Sequence, residues 1–208
     1  MKRIISSVLA VLLLLGACAA CSKPKYTEDE IRAALEALIP ASAELNEIYF
    51  GEGLPIAGDE EEYAEFYDSL DSDMASLGYV PVAEDAKYRT EAELRDATLA
   101  VFTEEYASFL FDRAFSGFSV SYDDETTVNA VYAMYIETDG VLTKRIGAKD
   151  DAILLGREYS IDGLVIARQK DNFVIVDVPT TREGQTSVTV RLKLVNTDGG
   201  WRLDSPTY

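Results

Sequence analysis

The chain contains no histidine, and its only two cysteines, Cys18 and Cys21, stand close together near the N-terminus of a 208-residue sequence. Ser-His-Asp and Cys-His machinery therefore cannot be assembled. Zinc sites that need imidazole or thiolate ligands are excluded, and no disulfide framework can staple the body. Basic residues are scarce as well, 19 against 37 acidic ones, for a formal charge of −18. Phosphate would be repelled, so no nucleic-acid partner is expected. Carboxylate chemistry, a lysine or tyrosine base and an oxygen-ligated cation remain open. Among 37 acids no pair stands out, and Asp71-Ser72-Asp73 lacks the glycine and terminal glutamate of a calcium loop. No catalytic residue, metal or cofactor is assigned, and the chain reads as a binding protein rather than an enzyme.

Long apolar runs are missing too, with one exception. Ile4 to Leu15 follows Lys2 and Arg3 and closes on Leu15-Gly16-Ala17-Cys18. This is the layout of a secretory signal, too short and wrongly flanked for a stable membrane span. Small residues at 16 and 17 before a cysteine resemble a lipobox, which implies cleavage before Cys18 and a lipid on Cys18. The expected organisation is a lipoprotein signal peptide over 1–17, a lipidated tether over 18–26, and an exported protein anchored to the outer face of the cytoplasmic membrane. At 48% hydrophobic the remainder can bury a substantial core.

Between Thr27 and Leu77 fifteen acidic residues face a single basic one, Arg32, with Asp59-Glu60-Glu61-Glu62 the densest run. Such a face keeps an envelope protein soluble, or steers it toward a basic partner with salt-sensitive association. Thr27-Glu28-Asp29-Glu30 reads as a capping box, after which Ile31, Leu35, Leu38, Leu45 and Ile48 mark one helical face. Pro40 predicts a kink or break near Ile39, and Gly51 a stop. Tyr49-Phe50-Gly51-Glu52-Gly53-Leu54-Pro55 then reads either as a helix end whose aromatics pack inward or as an aromatic-edged recognition loop. Tyr79-Val80-Pro81-Val82 suggests a short edge strand. Thr90-Glu91-Ala92-Glu93 is a second capping box, and Thr103 opens a third helix ending near Phe115.

From about Ser119 the period becomes two. Ala130–Ile136 is strand-like, and Asp139-Gly140 predicts a hairpin. Tyr159–Gln169 is a strand candidate with a turn or bulge at Asp162-Gly163, and Phe173–Val178 follows. Val188, Val190, Leu192 and Leu194 alternate with polar residues before Thr197-Asp198-Gly199-Gly200 turns into Trp201. Helices first and a meander last predict an α+β fold, with N-terminal helices (27–118) packed on a C-terminal curved antiparallel sheet (119–208). Residues 27–208 are expected to form one compact unit.

The aromatic-Gly-Glu-Gly loop, the capped helix pair at Thr90–Phe115 and the closing Gly199-Gly200-Trp201-Arg202-Leu203-Asp204-Ser205-Pro206 resemble the IseA family over most of Thr27–Tyr208. That resemblance implies a cystatin-like sheet-and-helix core and inhibition of a cell-wall D,L-endopeptidase. A closing Gly-Trp-Arg-Leu strand also recurs in NTF2-like envelope lipoproteins, and the chain departs from the IseA pattern in its lipobox and its acidic Asp59–Asp73 stretch. The leading expectation is therefore a membrane-anchored binding protein whose partner is a cell-wall hydrolase with a basic surface. It would be met by Tyr49, Phe50, Glu52, Leu54, Glu60, Glu61 and Glu62. The alternative is a small-ligand module with a pocket lined by Tyr132, Tyr135, Tyr159 and Trp201, whose other reading is core and cross-strand packing.

Overall fold

The structure, a computed structural model, describes residues 25–59, 63, 78–116, 133–146 and 152–208, with the backbone of 120–121 and 127–128. Cys18, Glu60, Glu61, Glu62, Tyr132 and the Asp71-Ser72-Asp73 segment lie outside the described residues.

Helix α1 (Glu28–Phe50) starts where the Thr27 hydroxyl accepts the Glu30 N–H. Only half of the expected capping box forms, because the Glu30 carboxylate receives the indole N–H of Trp201 at 3.1 Å instead. Ile31, Leu35, Leu38, Leu45 and Ile48 are buried along one face. No break occurs at Pro40, which sits exposed inside a continuous helix. Its ring deprives the Glu36 carbonyl of a donor, but core contacts on both sides of it hold the helix through.

Helix α2 (Glu91–Val101) carries the complete capping box, Thr90 and Glu93 each satisfying the other's backbone N–H. It ends at Phe102, which pairs in parallel with Leu203, so the chain bends before Thr103 caps α3 (Glu104–Phe111). A π-helical turn over Asp112–Ser116 prolongs α3. The Arg95 guanidinium of α2 lies over Phe111 and Phe115, at 4.3 and 4.7 Å from the ring centres.

The strands are β1 (Tyr79–Pro81), β2 (Val120–Ser121), β3 (Thr127–Val128), β4 (Tyr135–Thr138), β5 (Val141–Arg145), β6 (Glu158–Tyr159), β7 (Val165–Lys170), β8 (Phe173–Thr181), β9 (Val188–Thr197) and β10 (Gly200–Leu203). The β4–β5 hairpin turns on Asp139 (φ 53°) and Gly140 (φ 78°), both left-handed as a type I′ turn requires. Strand β1 joins its edge, in the order β1-β5-β4, so one strand falls within the half that the sequence reads as helical. The main sheet runs β10-β9-β8, with β7 and β6 sharing the far side of β8. Between them a 3₁₀ turn at Ile161–Gly163 spans the point where Pro179 offers no N–H, and Gly163 fits there because a Cβ would stand 3.0 Å from the Pro179 ring.

Every strand-to-strand pairing among the described residues is antiparallel, and the curled sheet forms a half-barrel covered by the three helices, an α+β fold. Val174, Val176, Val178, Leu192 and Leu194 point inward from β8 and β9. Val188, in phase with them, lies at the strand's exposed end. One buried cluster extends from Tyr26 to Leu203 and takes in both the helices and the sheet.

Candidate functional site

The C-terminal end of α1 and the loop after it form a concavity with the Asp85–Lys87 turn. Gly51 and Gly53 both donate their N–H to the Glu47 carbonyl, each at 3.0 Å, closing the helix. The loop is then fastened point by point. Lys144 of β5 donates its ammonium to the Glu52 carbonyl, and Leu54 N–H donates to the Tyr135 hydroxyl at 2.9 Å. Tyr135 donates its own O–H to the Ile48 carbonyl at 3.0 Å. Beyond Pro55, Ile56 bridges to Val82, and Ala83 N–H donates to the Pro55 carbonyl. Gly53 is required by two constraints. Its φ is +78°, and a Cβ would lie 2.6 Å from the Tyr135 oxygen and 2.9 Å from Met134.

These fastenings leave a cleft of about 380 Å³ between α1, the loop and the Asp85–Lys87 turn. Ile48, Leu54, Pro55 and Ala86 give it an apolar floor, while Glu44, Glu47 and Asp85 stand on its walls. Lys87 closes one side with an ion pair to Glu44 at 2.6 Å, and that hydrogen bond raises the Lys87 pKa above its ordinary value. The pair is exposed, so it orients the wall more than it stabilises the fold. An apolar base under a carboxylate rim suits the stem and head of a lysine or arginine side chain from a partner.

Of the residues expected to meet a partner, Tyr49, Phe50 and Leu54 are each only 2% exposed and cannot present a surface. The inward-packed reading of the loop is the one the structure takes. Tyr49 donates to the Thr98 hydroxyl at 2.7 Å, and Thr98 donates onward to the Leu94 carbonyl. Burial pushes the Tyr49 phenol far above its usual range. Phe50 packs edge-on against Tyr208, ring centres 4.7 Å apart. Glu52 is exposed, and its backbone carbonyl accepts from Lys144.

The described members of the expected aromatic pocket are not brought together. Tyr135 is fully buried in the small sheet, in the hydrogen bonds given above. Tyr159 lies at the β6 edge with its hydroxyl on the Thr207 carbonyl at 3.0 Å. Trp201 lies on β10, at the opposite edge of that sheet, and stacks edge-on with Tyr26 at 4.6 Å. Each is engaged in packing, and a pocket shared by the three does not form. The cleft residues Glu44, Glu47, Asp85 and Lys87 carried no sequence signal, because Lys87 meets Glu44 across 43 residues.

Among the described residues no group of three or more His, Cys, Asp or Glu side chains could hold a metal ion, and no helix is long and apolar enough to cross a membrane. Compared with family models, curated proteins and solved structures, the chain matches none.

Proposed function

We propose that the chain is an exported lipoprotein, lipidated at Cys18, that acts as a binding protein at the outer face of the cytoplasmic membrane. It takes a basic side chain of a partner into the cleft at the end of α1. The observation that carries this reading is the cleft itself, an apolar floor under Glu44, Glu47 and Asp85, built on a loop that five separate contacts hold still. A rigid loop loses little entropy on binding, and a chain of −18 attracts a basic surface from a distance. The resemblance to the IseA family and its cystatin-like architecture make a cell-wall D,L-endopeptidase the preferred partner, inhibited by occupation of its open substrate groove.

The test is co-purification of hydrolases from envelope extract on the immobilised chain, followed by lytic assays with and without it. Binding that weakens with salt, inhibition at micromolar protein, and loss of both in Asp85→Lys are the expected results. Unchanged lytic activity and no captured hydrolase would falsify the reading.

A further inference from the structure

One end of the main sheet reverses, on its outward face, the charge that the whole chain carries. Val174, Val176 and Val178 of β8 are buried in the core, so Phe173, Ile175 and Asp177 point outward. Residues paired directly across strands share a face. The register therefore sets Lys170 and Val195 beside Phe173, Arg168 and Lys193 beside Ile175, and Arg191 beside Asp177. Arg202 of β10 stands next to Val195. Lys25 joins the same end by donating to the Asp171 carbonyl of the β7–β8 turn at 2.7 Å. Six basic residues thus meet four acidic ones, Asp171, Asp177, Asp198 and Asp204, in a chain where 19 face 37.

Some of these cations are neutralised on the spot. Arg191 pairs with Asp177 at 2.7 Å, and Lys193 pairs with Asp204. Lys170 lies 3.7 Å from the Asp171 carboxylate, with both side chains more than half exposed. Among the described residues Lys25, Arg168 and Arg202 form no ion pair with a carboxylate. Lys25 and Arg202 donate to backbone carbonyls, whereas Arg168 lies 5.8 Å from the centre of the Phe173 ring. Lys193 flanks the same ring at 5.9 Å. A half-buried aromatic therefore stands between cations, on a face where Arg168, Lys170 and Arg191 are exposed.

We propose that this face docks on the anionic phosphate headgroups of a lipid bilayer. Charge complementarity selects an anionic partner, and the course of the chain selects a membrane. Lys25 is fixed at the β7–β8 turn, and Cys18 stands seven residues before it, within about 25 Å even at full extension. A lipid on Cys18 keeps this end of the sheet within reach of the headgroups, and the proposal rests on the anchored reading for that proximity. Each basic residue at an anionic surface is worth about fivefold in attachment. Acidic groups more than about 8 Å away are largely screened at physiological ionic strength. The lysine and arginine heads meet phosphate, with Phe173 at headgroup level between them.

The experiment places the full chain on vesicles of pure phosphatidylcholine and of an equal mixture with phosphatidylglycerol, and follows acetylation of each lysine by mass spectrometry. Lys170 should react about tenfold more slowly on the anionic vesicles, while Lys87, in the cleft wall at the far end of α1, reacts alike on both. The protection should vanish at about 1 M salt, where the screening length falls to about 3 Å. Arg168→Gln should lower it about fivefold; should that variant not fold, Lys25→Gln carries the same expectation. Flotation with the neutral vesicles reports the anchor separately, and its loss counts against lipidation at Cys18 rather than against the face. Equal reactivity of Lys170 on the two kinds of vesicle overturns the docking surface. Equal protection by dissolved inorganic polyphosphate, at the same phosphate concentration, overturns the membrane as its occupant.

Discussion

Tyr135 holds more of the cleft than any other single side chain, and its chemistry makes the dependence measurable. Its hydroxyl accepts from Leu54 N–H and donates to the Ile48 carbonyl in a fully buried setting. Tyr135→Phe strands both backbone groups and should cost about 1–3 kcal/mol in denaturant unfolding. Gly53→Ala should be destabilising on its own, since its Cβ must enter at φ +78° within 2.6 Å of that hydroxyl. The double variant should lose less than the sum of the two, because Phe removes the oxygen that alanine collides with. Additive losses would mean that the two groups do not meet. The phenols also set the alkaline limit of the fold. Burial raises Tyr159 to about 12 and displaces Tyr49 and Tyr106 further in the same direction. A folded pKa above the unfolded value of about 10 leaves stability intact below that pH and erodes it as pH rises from there toward the folded value. Near-ultraviolet titration should therefore show these three phenols ionising only together with loss of structure, above about pH 10.

At the scale of elements, what could be read from sequence was what lies within a few residues. The Thr90–Glu93 box, the Asp139-Gly140 hairpin and the alternation of β9 are all local patterns, and each formed. The readings that failed were settled by distant residues. Glu30 left its cap for Trp201, 171 positions away. Of the two readings of the aromatics before Gly51, the inward one prevailed because Thr98 and Tyr208 receive them. The wall of the cleft was invisible because nothing near residue 87 shows that its turn will face Glu44 of α1. Pro40 shows the same override within one helix: it obeys no local rule and survives because Leu35, Leu38 and Leu45 pack across it. Since Pro40 is exposed and the Glu36 carbonyl lacks its helical donor, Pro40→Ala should stabilise the chain, by about 1–3 kcal/mol in chemical denaturation. A loss of stability would mean that the ring's restriction of the unfolded chain outweighs the missing bond.

For the whole molecule, the decisive arrangement is that Tyr26 and the cleft lie at opposite ends of α1. The helix has 23 residues and spans about 34 Å at the usual rise. Its N-terminal end is clasped to the sheet by a residue that composition alone assigned to the tether. Tyr26 is buried and stacked on Trp201, exchanges two hydrogen bonds with Gln169, and reaches the Asp171 carbonyl beside Lys25. On the proposed reading, a lipid on Cys18 would hold the β7–β8 turn near the bilayer, and α1 would carry the cleft away from it. The clasp is also a protease gate, because the bond after Lys25 can enter an active site only when Tyr26 lets go of Trp201 and Gln169. Trp201→Ala removes the ring stack and the indole bond to Glu30 together, a loss on the order of 1.4 kcal/mol in closing this end, or about tenfold in the open population. Where opening is fast relative to cleavage, the rate follows that population. Limited trypsin digestion read by mass spectrometry should thus show cutting after Lys25 accelerating about tenfold in Trp201→Ala, with cutting in β9, after Arg191 and Lys193, unchanged. If both rates rise together, Trp201 supports the global fold, and the N-terminal clasp is not the independent element that sets how the cleft faces its partner.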